Sequence, residues 1–269
     1  MTRRELEIAL RNAGIEEADR EALLLFSHIT EFSIARLLAE TELSIADETL
    51  APLLSRRVSR EPLQYILGEA PFGNETYKVS SECLIPRFDT ERLVEAAAER
   101  IPRGAHIADL CTGSGCIAIS LLALRKDLTA DAYDISDGAL RIAEENAKRN
   151  GVADRISFQK ADLLSLPSLP RTYGAILSNP PYIRTRDLPS LSPEVQKEPR
   201  LALDGGHDGL MFYRHFVSAF RASLSENGLF LFEIGFDQGD DLNKIAKGSR
   251  MSCEILKDYG GCDRVAILM

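Results

Sequence analysis

The sequence predicts an α/β domain preceded by a small helical bundle. Short apolar runs of strand length alternate with helical patterns from residue 106 onward. Several of those runs end in a glycine-rich turn, an aspartate or an asparagine, at the edge where open α/β sheets place their chemistry. Residues 1–70, by contrast, carry helical spacing throughout.

In the first 70 residues the apolar positions are Leu6, Leu10 and Ala13, then residues 23–26 and Ile29, then Ile34, Leu37 and Leu38, then Leu50, Leu53, Leu54 and Val58. Gly14, Ser33 and Pro62 punctuate them as stops and caps. We expect a helical, substrate-recognising domain over 1–70, a β-hairpin connector over 71–88, where Gly73 and Asn74 form a turn between β-favouring residues, and a larger domain over 89–269. Asp89 and Thr90 are capping candidates for a helix over 91–100. Strands follow at 106–110, 129–133, 155–161 and 173–178, with helices at 116–122 and 137–150, the second closed by Gly151. The loop through Pro199 is rich in proline, serine and charge and has no periodicity. Gly205, Gly206 and Gly209 end it before a helix over 210–224, and then come a strand at 229–234, a helix from Gln238 and strands at 253–257 and 264–268.

Two motifs carry chemistry. Cys111-Thr112-Gly113-Ser114-Gly115 joins a strand to an apolar helix, the opening unit of a Rossmann-like nucleotide site, but its spacing departs from G-x-G-x-x-G. A pyrophosphate is therefore not its obvious guest. Asp134 and Asp162 end the next strands, where a carboxylate can hold ribose hydroxyls; each alone reads as a helix cap, and together they favour a nucleoside without phosphates such as S-adenosylmethionine. The second motif, Asn179-Pro180-Pro181-Tyr182, follows a buried strand. Proline fixes φ and pushes the residue before it toward extended backbone, so the Asn179 carboxamide and the Pro180 carbonyl are held in one geometry. Two such acceptors suit a planar NH2 group, and Tyr182 offers it a flat face.

Composition narrows the class. The chain has 269 residues, 45% hydrophobic and 27% charged, which is globular composition. No apolar run approaches the ~20 residues that span a bilayer, and the N-terminus lacks a signal peptide's apolar segment, so a cytoplasmic location is expected. The cysteines, Cys83, Cys111, Cys116, Cys253 and Cys262, contain no C-x-x-C and read as reduced, mostly buried thiols. His28, His106, His207 and His215 form no cluster, and no metal site is expected. A net charge of −9 argues against a grip on nucleic acid. The compact basic group Arg56, Arg57 and Arg60 reads as a solvated helix face.

The chain resembles the peptide-chain release factor glutamine N5-methyltransferases, the HemK/PrmC family, over nearly its whole length. The resemblance is carried by residues 64–68, 85–87, 109–115, 134–136 and 178–183, by Gly205-Gly206 with 208–210, by 233–235 and by Asp263-Arg264. The family commonly has glycine at Cys111, and proline and glutamate at Phe88 and Asp89. It implies a Rossmann-like seven-stranded methyltransferase domain with a small N-terminal helical bundle, acting as a monomer without metal or stable nucleic acid binding. The implied cofactor is S-adenosylmethionine. Residues Cys111, Thr112, Gly113, Ser114 and Gly115 would line its methionine portion, Asp134 its ribose, and Asp162 and Leu163 its adenine, while Asn179 would reach both cofactor and substrate. The implied partner is a peptide chain release factor, methylated on the glutamine of its Gly-Gly-Gln loop in support of translation termination. Because Asn179 to Tyr182 is shared with amino-methyltransferases of nucleic acid, an adenine-N6 methyltransferase is the alternative, and a non-catalytic cofactor-binding scaffold is a second.

Overall fold

The computed structural model describes residues 1–40 and 42–269, which divide into two compact units: residues 1–69 with 192–197, and residues 70–191 with 198–269. The first unit is helical, with α1 (Arg3–Asn12), α2 (Ala18–Thr30), α3 (Ile34–Ala39), α4 (Asp47–Val58) and α5 (Leu63–Leu67). A capping box between Thr2 and Glu5 starts α1, and Ser33 caps α3 by accepting from the Arg36 N–H. Leu6, Leu10, Leu25, Phe26, Leu37 and Leu50 form its core.

One expectation fails in this unit. Arg57 is not on a solvated face but only 5% exposed. Its guanidinium meets Glu21 at 2.6 Å and Glu194 at 3.0 Å, and Arg60 reaches the same Glu194 oxygen at 3.1 Å. Burying the guanidinium is compensated by carboxylates brought from distant parts of the sequence.

The second unit opens with the hairpin β1 (Glu69–Phe72), whose first residue is the last of the first unit, and β2 (Glu75–Lys78), followed by α6 (Glu91–Arg100). Then come β3 (His106–Leu110), α7 (Cys116–Leu124), β4 (Thr129–Asp134), α8 (Asp137–Arg149), β5 (Ile156–Lys160), β6 (Tyr173–Ser178), α9 (Met211–Phe220), β7 (Leu224–Glu233), α10 (Gly239–Gly248), β8 (Cys253–Lys257) and β9 (Asp263–Leu268). The seven-stranded sheet has the order β5-β4-β3-β6-β7-β9-β8, parallel except where β9 runs antiparallel to β7 and β8. It is the Rossmann-like methyltransferase architecture. Apolar layers cover both faces, one built on Ile107, Ile119, Leu121 and Leu231, the other on Ile176, Phe216, Phe230 and Phe232.

The chain runs outward through β3, β4 and β5 and then returns to β6 on the other side of β3. A crevice opens at such a reversal, outside the carboxyl ends of the strands. The register places Leu110 beside both Tyr133 and Ser178, so the residues that follow each strand emerge at one edge. The buried Ser178 hydroxyl donates to the Leu110 carbonyl at 2.6 Å, tying the two strands together where they diverge.

Some boundaries differ from expectation. β7 begins at Leu224 rather than 229, because Leu224 pairs with Tyr173 before an irregularity in the register. Polar Ser225, Glu226 and Asn227 hide that start in the sequence. The loop after Tyr182 contains three short 3-10 turns, Thr185–Ser190, Val195–Lys197 and Arg200–Ala202. All five cysteines are free, but contrary to expectation only Cys83 and Cys116 are buried, while Cys111 and Cys253 are partly exposed and Cys262 is exposed. Among the described residues, no helix is long and apolar enough to cross a membrane, and no cluster suited to a metal ion occurs.

Candidate active site

A cavity of about 670 Å³ lies at the carboxyl edge of the sheet. Cys111, Thr112, Gly113, Ser114, Asp134, Asp162, Leu163, Asn179 and Pro181 line it; Gly115, Pro180 and Tyr182 do not. Gly115 serves the helix instead, as the left-handed residue preceding α7. Tyr182 packs its ring against the aromatic layer and donates its hydroxyl to Glu233 Oε1 at 3.2 Å.

The loop after β3 is shaped by backbone conformation and by side chains that reach into it. Cys111 has φ +58°, so the left-handed turn common to glycine is made here by a residue with a side chain. Gly113 has φ +56° and lines the cavity, and a Cβ there would meet no atom within 4 Å, which leaves a cradle open to a ligand. Its N–H donates to Asp134 Oδ2 at 2.9 Å, and the Ser136 N–H donates to Asp134 Oδ1 at 2.9 Å. Asp134 therefore joins two loops at the cavity wall. Burial pushes its carboxyl above the ordinary range, against the lowering effect of those donors. On the other flank, Asn146 donates to the Ser114 and Lys78 carbonyls at 2.9 and 3.0 Å, fixing the loop to β2.

Beneath the loop, Asp109 is 0% exposed, and burial raises its carboxyl to about 7. Its Oδ2 accepts from the Thr112 hydroxyl at 2.6 Å, while Oδ1 has no partner among the described residues.

The turn after β6 is held from three directions. The Ile183 N–H donates to the Leu203 carbonyl at 3.0 Å, and the Gly205 N–H to the Ile183 carbonyl at 2.8 Å. Gly209, at φ +76°, lets the backbone come so close that a Cβ would sit 2.3 Å from the Tyr182 carbonyl oxygen. Gln238, 3% exposed, donates to the Tyr182 and Gly209 carbonyls at 3.2 and 3.1 Å and accepts from the Gly235 N–H at 2.8 Å. On the cavity's other wall, Glu198 accepts from the Ile85 N–H at 3.0 Å and pairs with Arg87. Finally, Asn179 Nδ2 donates to Thr90 Oγ1 at 3.3 Å, and the Thr90 hydroxyl donates to Glu233 Oε2 at 2.5 Å. Thr90 stands at the start of α6 but makes no capping bond, contrary to expectation; its hydroxyl is committed to Glu233.

Thr90, Glu198, Glu233 and Gln238 were not singled out as site residues from the sequence. A signal existed for Glu233: a lone carboxylate inside the apolar run at 229–234 is rare unless paired.

The cavity's chemistry fits a nucleoside bearing a cation better than a phosphate. Glu82, Asp134, Asp162 and Asp204 line it together with Arg87 and Arg200, but those two guanidiniums are paired with Glu198 and Asp204, so the carboxylates stay in excess and disfavour a pyrophosphate. Its volume falls within the roughly 300–1,000 Å³ usual for small-molecule sites.

Comparison with known proteins agrees with this geometry. A family model described as the PrmC N-terminal domain matches residues 2–68, and one described as the methyltransferase small domain matches residues 72–198. The release factor glutamine methyltransferase of Moorella thermoacetica is 39% identical over 262 residues, 95% of this chain and 92% of that protein. The chain belongs to the release factor glutamine methyltransferase family. Another member of the family, from Geobacter sulfurreducens, is 38% identical over 95% of this chain and 91% of its own length. Among solved structures the hMettl16 catalytic domain is similar in fold, with a TM-score of 0.54 at 16% identity, covering 71% of this chain and 74% of that one.

Proposed function

We propose that this protein transfers a methyl group from S-adenosylmethionine to the side-chain amide nitrogen of the glutamine in the Gly-Gly-Gln loop of peptide chain release factors, in support of translation termination. The observation that carries the reading is the placement of Asn179, on a clamped turn, in the wall of the cavity lined by the glycine loop and Asp134. Bound in that cavity, S-adenosylmethionine supplies a methyl group made electrophilic by its sulfonium. Residues 111–114 would hold its methionine portion, with Gly115 shaping the loop behind them, Asp134 its ribose hydroxyls, and Asp162 and Leu163 its adenine.

An amide nitrogen is a poor nucleophile because its lone pair is delocalised into the carbonyl. The chain's own contribution is therefore orientation. The Asn179 carboxamide oxygen in the cavity wall and the Pro180 carbonyl, next in the turn and just outside the lining, would accept the two hydrogens of the glutamine NH2, which leaves the nitrogen's face turned toward the methyl donor. Positioning of this kind supplies up to ~7–11 kcal/mol in favourable intramolecular reactions. Pro180 and Pro181 stiffen the turn, and Tyr182 anchors it through Glu233. The proton leaves after transfer, so no strongly basic group is needed at the acceptor.

The N-terminal helical unit is assigned to the protein substrate. Ile8, Ile34 and Leu38 are large apolar side chains exposed on it, and such side chains are available to a protein partner.

The test is to incubate the protein with labelled S-adenosylmethionine and a release factor whose loop glutamine is intact or replaced, and to map the label by mass spectrometry. Label on that glutamine alone supports the reading. Label elsewhere, or on nucleic acid in its place, overturns it.

A further inference from the structure

We propose that Glu233, acting through Thr90, sets which end of the Asn179 carboxamide faces the acceptor. The inference rests on the function proposed above and adds positioning residues to it.

A carboxamide has an accepting end and a donating end of nearly equal size, and its partners decide which way it turns. Here the decision begins at Glu233, 1% exposed at the end of β7. As a carboxylate it can only accept. Two hydroxyls face it, Tyr182 on Oε1 at 3.2 Å and Thr90 on Oε2 at 2.5 Å, so both must donate. Thr90 has one hydroxyl hydrogen and has given it to Glu233. Toward Asn179 it can then only accept, which requires the donating Nδ2 on the Thr90 side, as found at 3.3 Å. The planar amide places Oδ1 opposite. That is the end the acceptor NH2 needs, and the opposite orientation would confront it with a second NH2.

The same logic gives a pH dependence. Burial raises the Glu233 carboxyl above the ordinary carboxylate range, and Asp89 adds to this, while Thr90, Tyr182 and Arg264 of β9 oppose it. Tyr213 of α9 donates to the Glu233 backbone carbonyl at 2.8 Å and leaves the carboxylate to the other groups. A proton on Oε2 would turn Glu233 into a donor toward Thr90. Thr90's hydrogen would then point at Asn179, and the carboxamide would reverse.

The experiment compares Thr90→Val, which keeps shape and loses the acceptor, with Thr90→Ser, which keeps the acceptor. We expect Thr90→Val to lower kcat on a release factor at least tenfold, with KM and S-adenosylmethionine affinity within threefold of the parent, and Thr90→Ser to recover most of the loss. A second readout needs no turnover: the Asn179 side-chain NH2 resonance, assigned through Asn179→Ala, should shift in Thr90→Val and hold in Thr90→Ser. Full kcat in Thr90→Val, or an unmoved NH2 resonance, overturns the inference while leaving the proposed function standing. If Thr90→Val does not fold, the unmodified enzyme decides: kcat should fall as pH drops through the raised Glu233 value at constant cofactor affinity, and a flat acid limb overturns the inference. Failure of the parent enzyme to methylate the glutamine strikes the proposed function instead, and the NH2 resonance still tests the relay.

Discussion

The backbone N–H of Gly113 donates to Asp134 Oδ2 at 2.9 Å, so the carboxylate proposed to hold a ribose also shapes the loop beside it. A second donor, the Ser136 N–H, occupies the other oxygen. Hydrogen bonds to a charged acceptor contribute about 1.5–3 kcal/mol each. Asp134→Ala should therefore weaken S-adenosylmethionine binding more than about tenfold, each tenfold being ~1.4 kcal/mol. Asp134→Asn should fall between, because its NH2 faces one of the two N–H donors. Isothermal calorimetry checks both, and unchanged affinity would reduce Asp134 to a loop brace.

Asp109 gives a stability signature. Its ordinary carboxyl value of 3.8 is raised to about 7 by complete burial. The unfolded chain releases this proton near pH 4 and the folded protein holds it to about pH 7, so stability from this group falls as pH rises across that window and is level above it. At ~1.36 kcal/mol per pH unit, the ceiling is about 4 kcal/mol. Asp109→Asn, which can still accept from Thr112, should raise Tm relative to the parent by more at pH 8 than at pH 5. Thermal denaturation at the two pH values measures it.

Arg57 holds two acidic segments together in the helical unit. Its replacement by alanine leaves the largely buried Glu21 side chain without that cation, while Arg60 still reaches Glu194. Loss of one partner of a buried ion pair costs about 3–5 kcal/mol. We expect Arg57→Ala to lower unfolding free energy by about 3 kcal/mol, read from chemical denaturation.

Exposed Ile8 and Leu38 make the substrate-gripping role proposed for the helical unit testable without truncation. Glu substitutions at both positions should raise KM for a release factor about fivefold, near 1 kcal/mol, and leave kcat unchanged. An unchanged KM would remove that surface from recognition.

The sequence made the sheet legible because its central strands are buried on both sides and read as short, mainly apolar runs, as in residues 106–110 and 173–178. The edge residues Asp134, Asp162 and Asn179 were legible because each stands at or just after the carboxyl end of such a strand. What stayed hidden depends on contacts remote in sequence. Arg57 looks solvated until Glu21 and Glu194 arrive, and Thr90 looks like a cap until Glu233 takes its hydrogen across 143 positions. The left-handed φ of Cys111 was also invisible, because the residue type argues against the conformation that the loop imposes.

The central claim, that the Asn179 turn orients the acceptor, is tested most directly by single-turnover methyl transfer to a release factor with Asn179→Ala, alongside cofactor affinity on the same preparation. The account predicts at least a hundredfold loss of transfer, about 2.7 kcal/mol of transition-state stabilisation, with S-adenosylmethionine affinity changed far less. Transfer within a few-fold of the parent enzyme would contradict it.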